Sequence, residues 1–234
     1  MIVIPAVDIL GGMAVQLVGG KPGTEKISLP NPWEVAQDWV NKGAQRLHLV
    51  DLDAAMGSGD NLQAIAKIVE AVDVPIEVGG GIRTTEKAET LLDLGVDIIA
   101  GTRAVSDPEW LKDLAQRYPD KVILALDVKQ GKIQLKGWKE SSSKTLAAVL
   151  EEVANLPLKG VLHTNVDVEG QNKGINVNET KKFRALCPHP IIESGGISSK
   201  KDLALLEEIG IEYAVVGMAI YTGAIKPEEV WRQE

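Results

Sequence analysis

The sequence predicts an α/β fold of a single domain over residues 1–234: a closed (β/α)8 barrel built as a twofold half-barrel repeat. Three observations predict it. Short β-branched runs alternate eight times with amphipathic helical stretches. Most of those runs are apolar almost throughout, as strands buried on both faces of a parallel sheet must be. A glycine turn after the third run, "VGGGIRT" (78–84), returns after the seventh as "ESGGIS" (193–198). An open doubly wound sheet is the competing arrangement, but eight units in 234 residues without a linker fit the barrel.

The first strand, "IVIPAVD" (2–8), ends on Asp8. A glycine-rich excursion, "LVGGKPGTEKIS" (17–28), follows and carries Gly20 where the loop would close over the barrel mouth. In "NPWEVAQDWVNKG" (31–43) Asn31 stands as N-cap, Pro32 at the first helical position, Glu34 to complete a capping box and Gly43 as terminator. The second strand, "RLHLVDL" (46–52), holds His48 and Asp51, read as structural and orienting residues. "PIEVG" (75–79) leads through Gly80, Gly81 and Arg83 into the helix "TTEKAETLLDLG" (84–95). "DIIAG" (97–101) ends at Gly101-Thr102-Arg103, before a helix capped by Ser106 or Asp107 with Pro108 just inside.

"KVILALD" (121–127) opens the second half on Asp127 and is followed by "GKIQLKGWKE" (131–140). There Trp138 either covers a flat ligand ring or anchors its own loop. "GVLHTNV" (160–166) carries His163, read as structural, and Thr164, a hydroxyl for substrate; Asp167 and Glu169 follow, with Asp167 expected in solvent. "PIIES" (190–194) leads through Gly195 and Gly196 to a helix at 198–210, and "YAVVG" (213–217) ends at Gly217-Met218. Trp33, Trp39, Trp110 and Trp231 fall in helical patterns and read as packing residues.

The two halves match in order. Gly80-Gly81-Ile82 and Gly195-Gly196-Ile197 are offset by 115 positions, as are His48 with His163, Gly59 with Gly174 and Asn61 with Asn176. Gly101 and Gly217 are offset by 116, and Asp8 and Asp127 by 119. In a parallel barrel all strand C-termini open on one face. Each half therefore offers one anion cradle there, made of glycine backbone and the N–H groups of a helix start. Gly80, Gly81, Arg83, Gly101, Thr102 and Arg103 build the first; Gly195, Gly196, Gly217 and Met218 build the second. Two cradles across one mouth suit a small molecule with a phosphate at each end. Asp8 and Asp127 face each other between them, a layout for general acid–base chemistry.

Composition narrows the partners. A net charge of −8 argues against nucleic acid, whose phosphates need a basic face. The one cysteine, Cys187, excludes a disulfide framework and suits the reducing cytoplasm. The apolar N-terminus contains Pro5 and Asp8 and reads as a strand; no run is long enough for a membrane span. No cluster has metal-ligand spacing, so a metal is not expected.

Taken together, "VIPAVDI", "LHLVDLDAA", "VGGGIRT", "LALDVKQGKIQLKGW", "HTNVDVEG", "ESGGIS" and "VVGMAIY" resemble, over essentially the whole chain, the phosphoribosylformimino-5-aminoimidazole carboxamide ribotide isomerase family of histidine biosynthesis. The resemblance implies a cofactor-free Amadori rearrangement of a bisphosphorylated aminoaldose to an aminoketose. It implies Asp8 as base, Asp127 as the favoured acid with Glu169 as the alternative, and Thr164 as the hydroxyl residue. The sequence departs from the family pattern at Asn165, where an acid is common, at Glu169, one methylene longer, and at Met218, where arginine is common. Three other readings remain open here: the sister barrel that closes the imidazole ring, a dual-substrate isomerase also serving tryptophan synthesis, and a phosphate-binding barrel without catalysis. The sister family carries Pro-Cys-Leu-Asp and a lysine where this chain has Pro5-Ala6-Val7-Asp8 and Gln16.

Overall fold

The computed structural model describes residues 1–18, 20, 23–171 and 174–231. The excursion at 17–28 and the loop after the sixth strand are therefore described only in part. The described residues form twelve strands: β1 (Ile2–Leu10), β2 (Met13–Gln16), β3 (Ile27–Leu29), β4 (Leu47–Asp51), β5 (Ile76–Gly79), β6 (Asp97–Ala100), β7 (Val122–Lys129), β8 (Lys132–Leu135), β9 (Glu140–Ser141), β10 (Gly160–Asn165), β11 (Ile191–Ser194) and β12 (Tyr213–Val216). Eight of them run parallel in the order β1-β4-β5-β6-β7-β10-β11-β12, and β12 pairs β1 to close the ring. This is a (β/α)8, or TIM, barrel.

Helices cover the outside: α1 (Pro32–Asn41), α2 (Leu52–Met56), α3 (Leu62–Ala71), α4 (Thr85–Asp93), α5 (Thr102–Ser106), α6 (Pro108–Arg117), α7 (Leu146–Glu152), α8 (Val177–Leu186), α9 (Lys200–Ile209), α10 (Met218–Tyr221) and α11 (Pro227–Val230). Their starts are written locally. Thr84, Asp107 and Ser199 each accept an N–H from the first turn, and Ser199 forms a full capping box with Asp202. Asn31 occupies the N-cap of α1 but departs from the expected capping box. It is left-handed at φ 56°, and its amide donates to Glu34 Oε1 instead of its oxygen capping an N–H. The C-terminal end is tied to the first strand by Trp231 Nε1, which donates to Val3 O at 2.9 Å.

The core has two layers. The larger lies between strands and helices and includes Leu47, Leu49, Ile65, Ile98, Leu114 and Phe183. The smaller fills the barrel itself with Ile4, Ala6, Ile99, Ile123, Leu162, Ile192 and Val215. Complete burial of one such aliphatic side chain stabilises by roughly 1.5–3 kcal/mol.

Strand register corrects one pairing from the sequence. Ala6 lies opposite His48, while Ala125, the counterpart of Ala6, lies opposite Leu162. Inside these strands the equivalence therefore runs at 114, and a one-residue slip moves a side chain to the other face. His48 points into the barrel. His163 points out, stacked on Phe183 at 4.1 Å between ring centroids and bonded through Nδ1 to Glu193. Each histidine bonds a buried glutamate of the next strand through Nδ1 at 2.8 Å, but on opposite faces of the barrel wall.

Candidate active site

Asp8 and Asp127 occupy matching places. Each lies where a barrel strand runs on into an antiparallel hairpin, Asp8 opposite Val15 and Asp127 opposite Gln134. The hairpins turn at Gly11-Gly12 and Gln130-Gly131, all four residues left-handed, as two-residue turns of this kind require. A rigid strand thus holds each carboxyl at the barrel mouth.

Glu169 joins them. Its carboxyl is pushed up to about 7, first by burial and then by the negative charges of Asp8 and Asp127, against a smaller attraction from His48. Burial also pushes Asp8 up to about 6, with His48 opposing. Asp127 is raised by burial too, but two donors work against the rise. Trp138 Nε1 donates to its Oδ2 at 2.8 Å, and the Thr164 hydroxyl, opposite it on β10, bonds it as well. Three carboxyls therefore share one mouth, and each holds its proton more tightly than an ordinary carboxyl does. The sequence puts Asp127 first as the acid; burial raises both carboxyls, and the two aspartates raise Glu169 further.

The loops that bring these groups together are fastened to one another. Asp167, expected in solvent, is half-buried and accepts the N–H of Gln130 from the neighbouring hairpin at 2.8 Å. Asn165 is buried, donates to Glu179 at 2.7 Å and accepts the Asp167 N–H at 3.1 Å. An aspartate there would repel Glu179 and lack the donor, which accounts for the amide. Trp138 is half-buried, with its indole against Gly20, where an added Cβ would stand 2.9 Å from the ring. The indole bonds Asp127 and meets the first loop at Gly20.

The glycine turns superpose by conformation. Gly80 and Gly81 have φ 102° and 65°; Gly195 and Gly196 have 96° and 80°. A Cβ on Gly81 would lie 2.2 Å from Ala54 O, and one on Gly196 would lie 2.5 Å from Gly174 O. Glycine is thus required by the backbone of the preceding loop, whatever the turn binds. Gly101 and Gly217 also share a conformation, φ −111° with ψ −102° and φ −100° with ψ −102°. Among the described residues no hydrogen bond occupies the N–H of Gly81, Ile82, Gly196 or Ile197. Both arginines at the first turn are engaged with the protein: Arg83 donates to Ala54 O and Ala55 O, and Arg103 to Arg83 O. The Thr102 hydroxyl accepts the Lys136 N–H at 2.8 Å, drawing the second hairpin over this turn. At the second turn the Gln16 amide crowds Gly217, within 2.6 Å of where a Cβ would stand, and Met218 offers no charge.

Sequence reasoning read His48 as structural and passed over Glu77. Both are buried inside the barrel, below the carboxyls, with His48 Nδ1 2.8 Å from Glu77 Oε1. The signal was present: Glu77 is a charge in the middle of an apolar strand run. Asp51 behaves as expected, buried and bonded to Ala54 N and Asn61, so it organises its own loop. Among the described residues no group of three metal-ligating side chains converges, and no helix is long and apolar enough to cross a membrane.

Comparison with known proteins agrees with the geometry. Residues 2–226 match the family described as histidine biosynthesis protein. A protein of Methanosphaera stadtmanae is 45% identical over all of both chains. One from Methanocaldococcus jannaschii is 46% identical over 96% of this chain and 95% of its own, and one from Methanosarcina acetivorans 47% over 94% and 93%. All three are named 1-(5-phosphoribosyl)-5-((5-phosphoribosylamino)methylideneamino)imidazole-4-carboxamide isomerase. With its barrel, its repeated half and its matching length, this chain belongs to the histidine biosynthesis isomerase family.

Proposed function

We propose that the protein is the isomerase that converts the bisphosphorylated aminoaldose of histidine biosynthesis to its aminoketose by an Amadori rearrangement. The observation that carries the mechanism is the convergence of Asp8, Asp127 and Glu169 on one mouth, with Glu169 pushed up by burial and then by both aspartates. A protonated carboxyl beside an ionised one is what the chemistry needs near neutral pH. Glu169 gives its proton to the furanose ring oxygen; the C1–O bond breaks, and the glycosylamine lone pair closes to a protonated Schiff base. Asp8 then takes the C2 proton, and the C–H electrons become the C1–C2 double bond of an enolamine, cancelling the nitrogen's charge. Transfer of the enol proton to C1 gives the aminoketose.

Thr164 and Trp138 bond Asp127 and fix its place, so that it orients the sugar beside Glu169. The two glycine turns hold the phosphates: Gly80, Gly81, Arg83, Gly101, Thr102 and Arg103 on one side, Gly195, Gly196, Gly217 and Met218 on the other. The free N–H groups at 81–82 and 196–197 support that reading. Trp138 and Gly20 close over the substrate between them. No step needs a metal or organic cofactor, and a cytoplasmic enzyme of one domain, without obligatory partner, is part of the same proposal.

The test is turnover of the purified protein on the aminoaldose, with a chelator present, for the parent and three variants. Asp8→Asn should lose about 10²–10⁴-fold in kcat. Glu169→Gln should lose at least ~10²-fold together with the basic limb of the pH profile. Asp127→Asn should be slower but keep that limb. A dead Asp127→Asn beside a Glu169→Gln impaired only in KM would return the acid's role to Asp127.

A further inference from the structure

Beneath the carboxyls the barrel stem holds a column of charge that the reaction scheme does not use. His48 Nδ1 lies 2.8 Å from Glu77 Oε1, and Arg46 Nε donates to Glu77 Oε2 at 2.8 Å. Arg46 also donates to Asp97 Oδ2 at 2.7 Å, and Asp97 pairs with Lys121 at 3.2 Å and Lys159 at 2.8 Å. The column runs from Lys121 and Lys159 at the stem, through Asp97 of β6, Arg46 and Glu77 of β5, to the His48 imidazole of β4. Glu77 is 0% and Asp97 3% exposed, so each charge depends on its neighbours for solvation.

We propose that Glu77 is a positioning residue for the isomerisation: it fixes the His48 imidazole with its Nδ1–H directed into the stem and the rest of the ring turned to Asp8 and Glu169. The chemistry of the partners forces this orientation. Glu77 is flanked by a guanidinium and accepts only, so the imidazole nitrogen facing it carries the proton. Three cations, Arg46, Lys121 and Lys159, stand against two carboxylates, Glu77 and Asp97, leaving surplus positive charge under the mouth. The groups facing His48 are Asp8 from β1, Glu77 from β5 and Glu169 from the loop after β10, with Arg46, just before β4, acting through Glu77 and Asp127 through Glu169. His48 favours the ionised form of both Asp8 and Glu169. Weakening it therefore moves both carboxyls upward together, displacing the whole pH profile rather than narrowing it.

This inference rests on the reading of Asp8 and Glu169 as the reacting pair, and the experiments separate the two. The chain has three histidines, so ¹⁵N-histidine spectra of the parent protein, with His48 assigned through His48→Gln, report its tautomer directly. A protonated Nδ1 at neutral pH is expected; a bare Nδ1 overturns the proposal whether or not the enzyme turns over. Then kcat/KM is followed from pH 5 to 9 for the parent, His48→Gln and Glu77→Gln. Both limbs should rise by roughly half a unit or more in His48→Gln, and Glu77→Gln, which removes an anion together with the anchor of the ring, should displace them from the parent values. Lower activity with unmoved limbs, in whichever variant folds, means the column is structural and overturns the proposal. An inactive parent would instead remove the isomerase reading and leave the tautomer result standing.

Discussion

At the residue scale, Glu169 shows how the site opposes the fold. Its carboxyl sits at about 7 in the folded protein against an ordinary value of 4.5. A raised folded value means that its stability contribution is fully present below about 4.5 and is lost as the pH rises through 7. Above that pH the folded chain carries an ionised group crowded by two more carboxylates. Glu169→Gln removes the penalty, so it should raise the melting temperature by roughly 2–6 °C at pH 8 and by much less at pH 5. Thermal unfolding at the two pH values checks this, and an equal gain at both would assign the effect to packing. Asp8→Asn should show the same sign over a lower window, from 3.8 to about 6. Asp8 and Asp127 were legible in the sequence because each ends an apolar strand run. Glu169's place was not, because a loop's inward turn depends on contacts such as Asp167 with Gln130 that no local pattern encodes.

At the element scale, the barrel strands and the capped helices were readable from apolar runs and from Thr84, Asp107 and Ser199. The β2–β3 and β8–β9 arms were not anticipated, although Gly11-Gly12 and Gln130-Gly131 are turn signals. The histidine pairing failed for a related reason: one inserted residue is invisible in a 115-position offset, yet it reverses the face of a strand. These hairpins matter because the site is held by loop-to-loop bonds. Asp167 is the fastener between the hairpin after β7 and the loop that carries Glu169. Asp167→Ala should lower kcat/KM about tenfold, in line with a lost hydrogen bond to a charged acceptor of about 1.5 kcal/mol. The fold itself should melt within a degree or two of the parent. Steady-state kinetics beside a melting curve separates these outcomes: a large fall in melting temperature would make Asp167 a fold residue, not a site fastener.

At the scale of the whole molecule, the half repeat has survived in backbone and diverged in side chains. Gly80-Gly81 and Gly195-Gly196 share their left-handed conformations, and Gly101 and Gly217 share theirs. Around them the halves differ: Arg83, Arg103 and Thr102 at one turn, Gln16 and Met218 at the other. If phosphate is held by main-chain N–H groups and helix starts, this divergence should leave both sites working but unequal. Crystals soaked in phosphate should show two anions on the strand C-terminal face, one at 81–82 with Thr102 and one at 196–197 with Met218. The first should need less phosphate, because a guanidinium keeps donors beyond those that Arg83 and Arg103 spend on carbonyls. Arg83→Gln should empty that site at lower phosphate while leaving the second unchanged, since Arg83 contacts only the first half. A single anion in the parent, or anions at the stem end near Lys121 and Lys159, would break the link between repeated backbone and doubly phosphorylated substrate. The barrel would then retain its symmetry as a record of duplication alone.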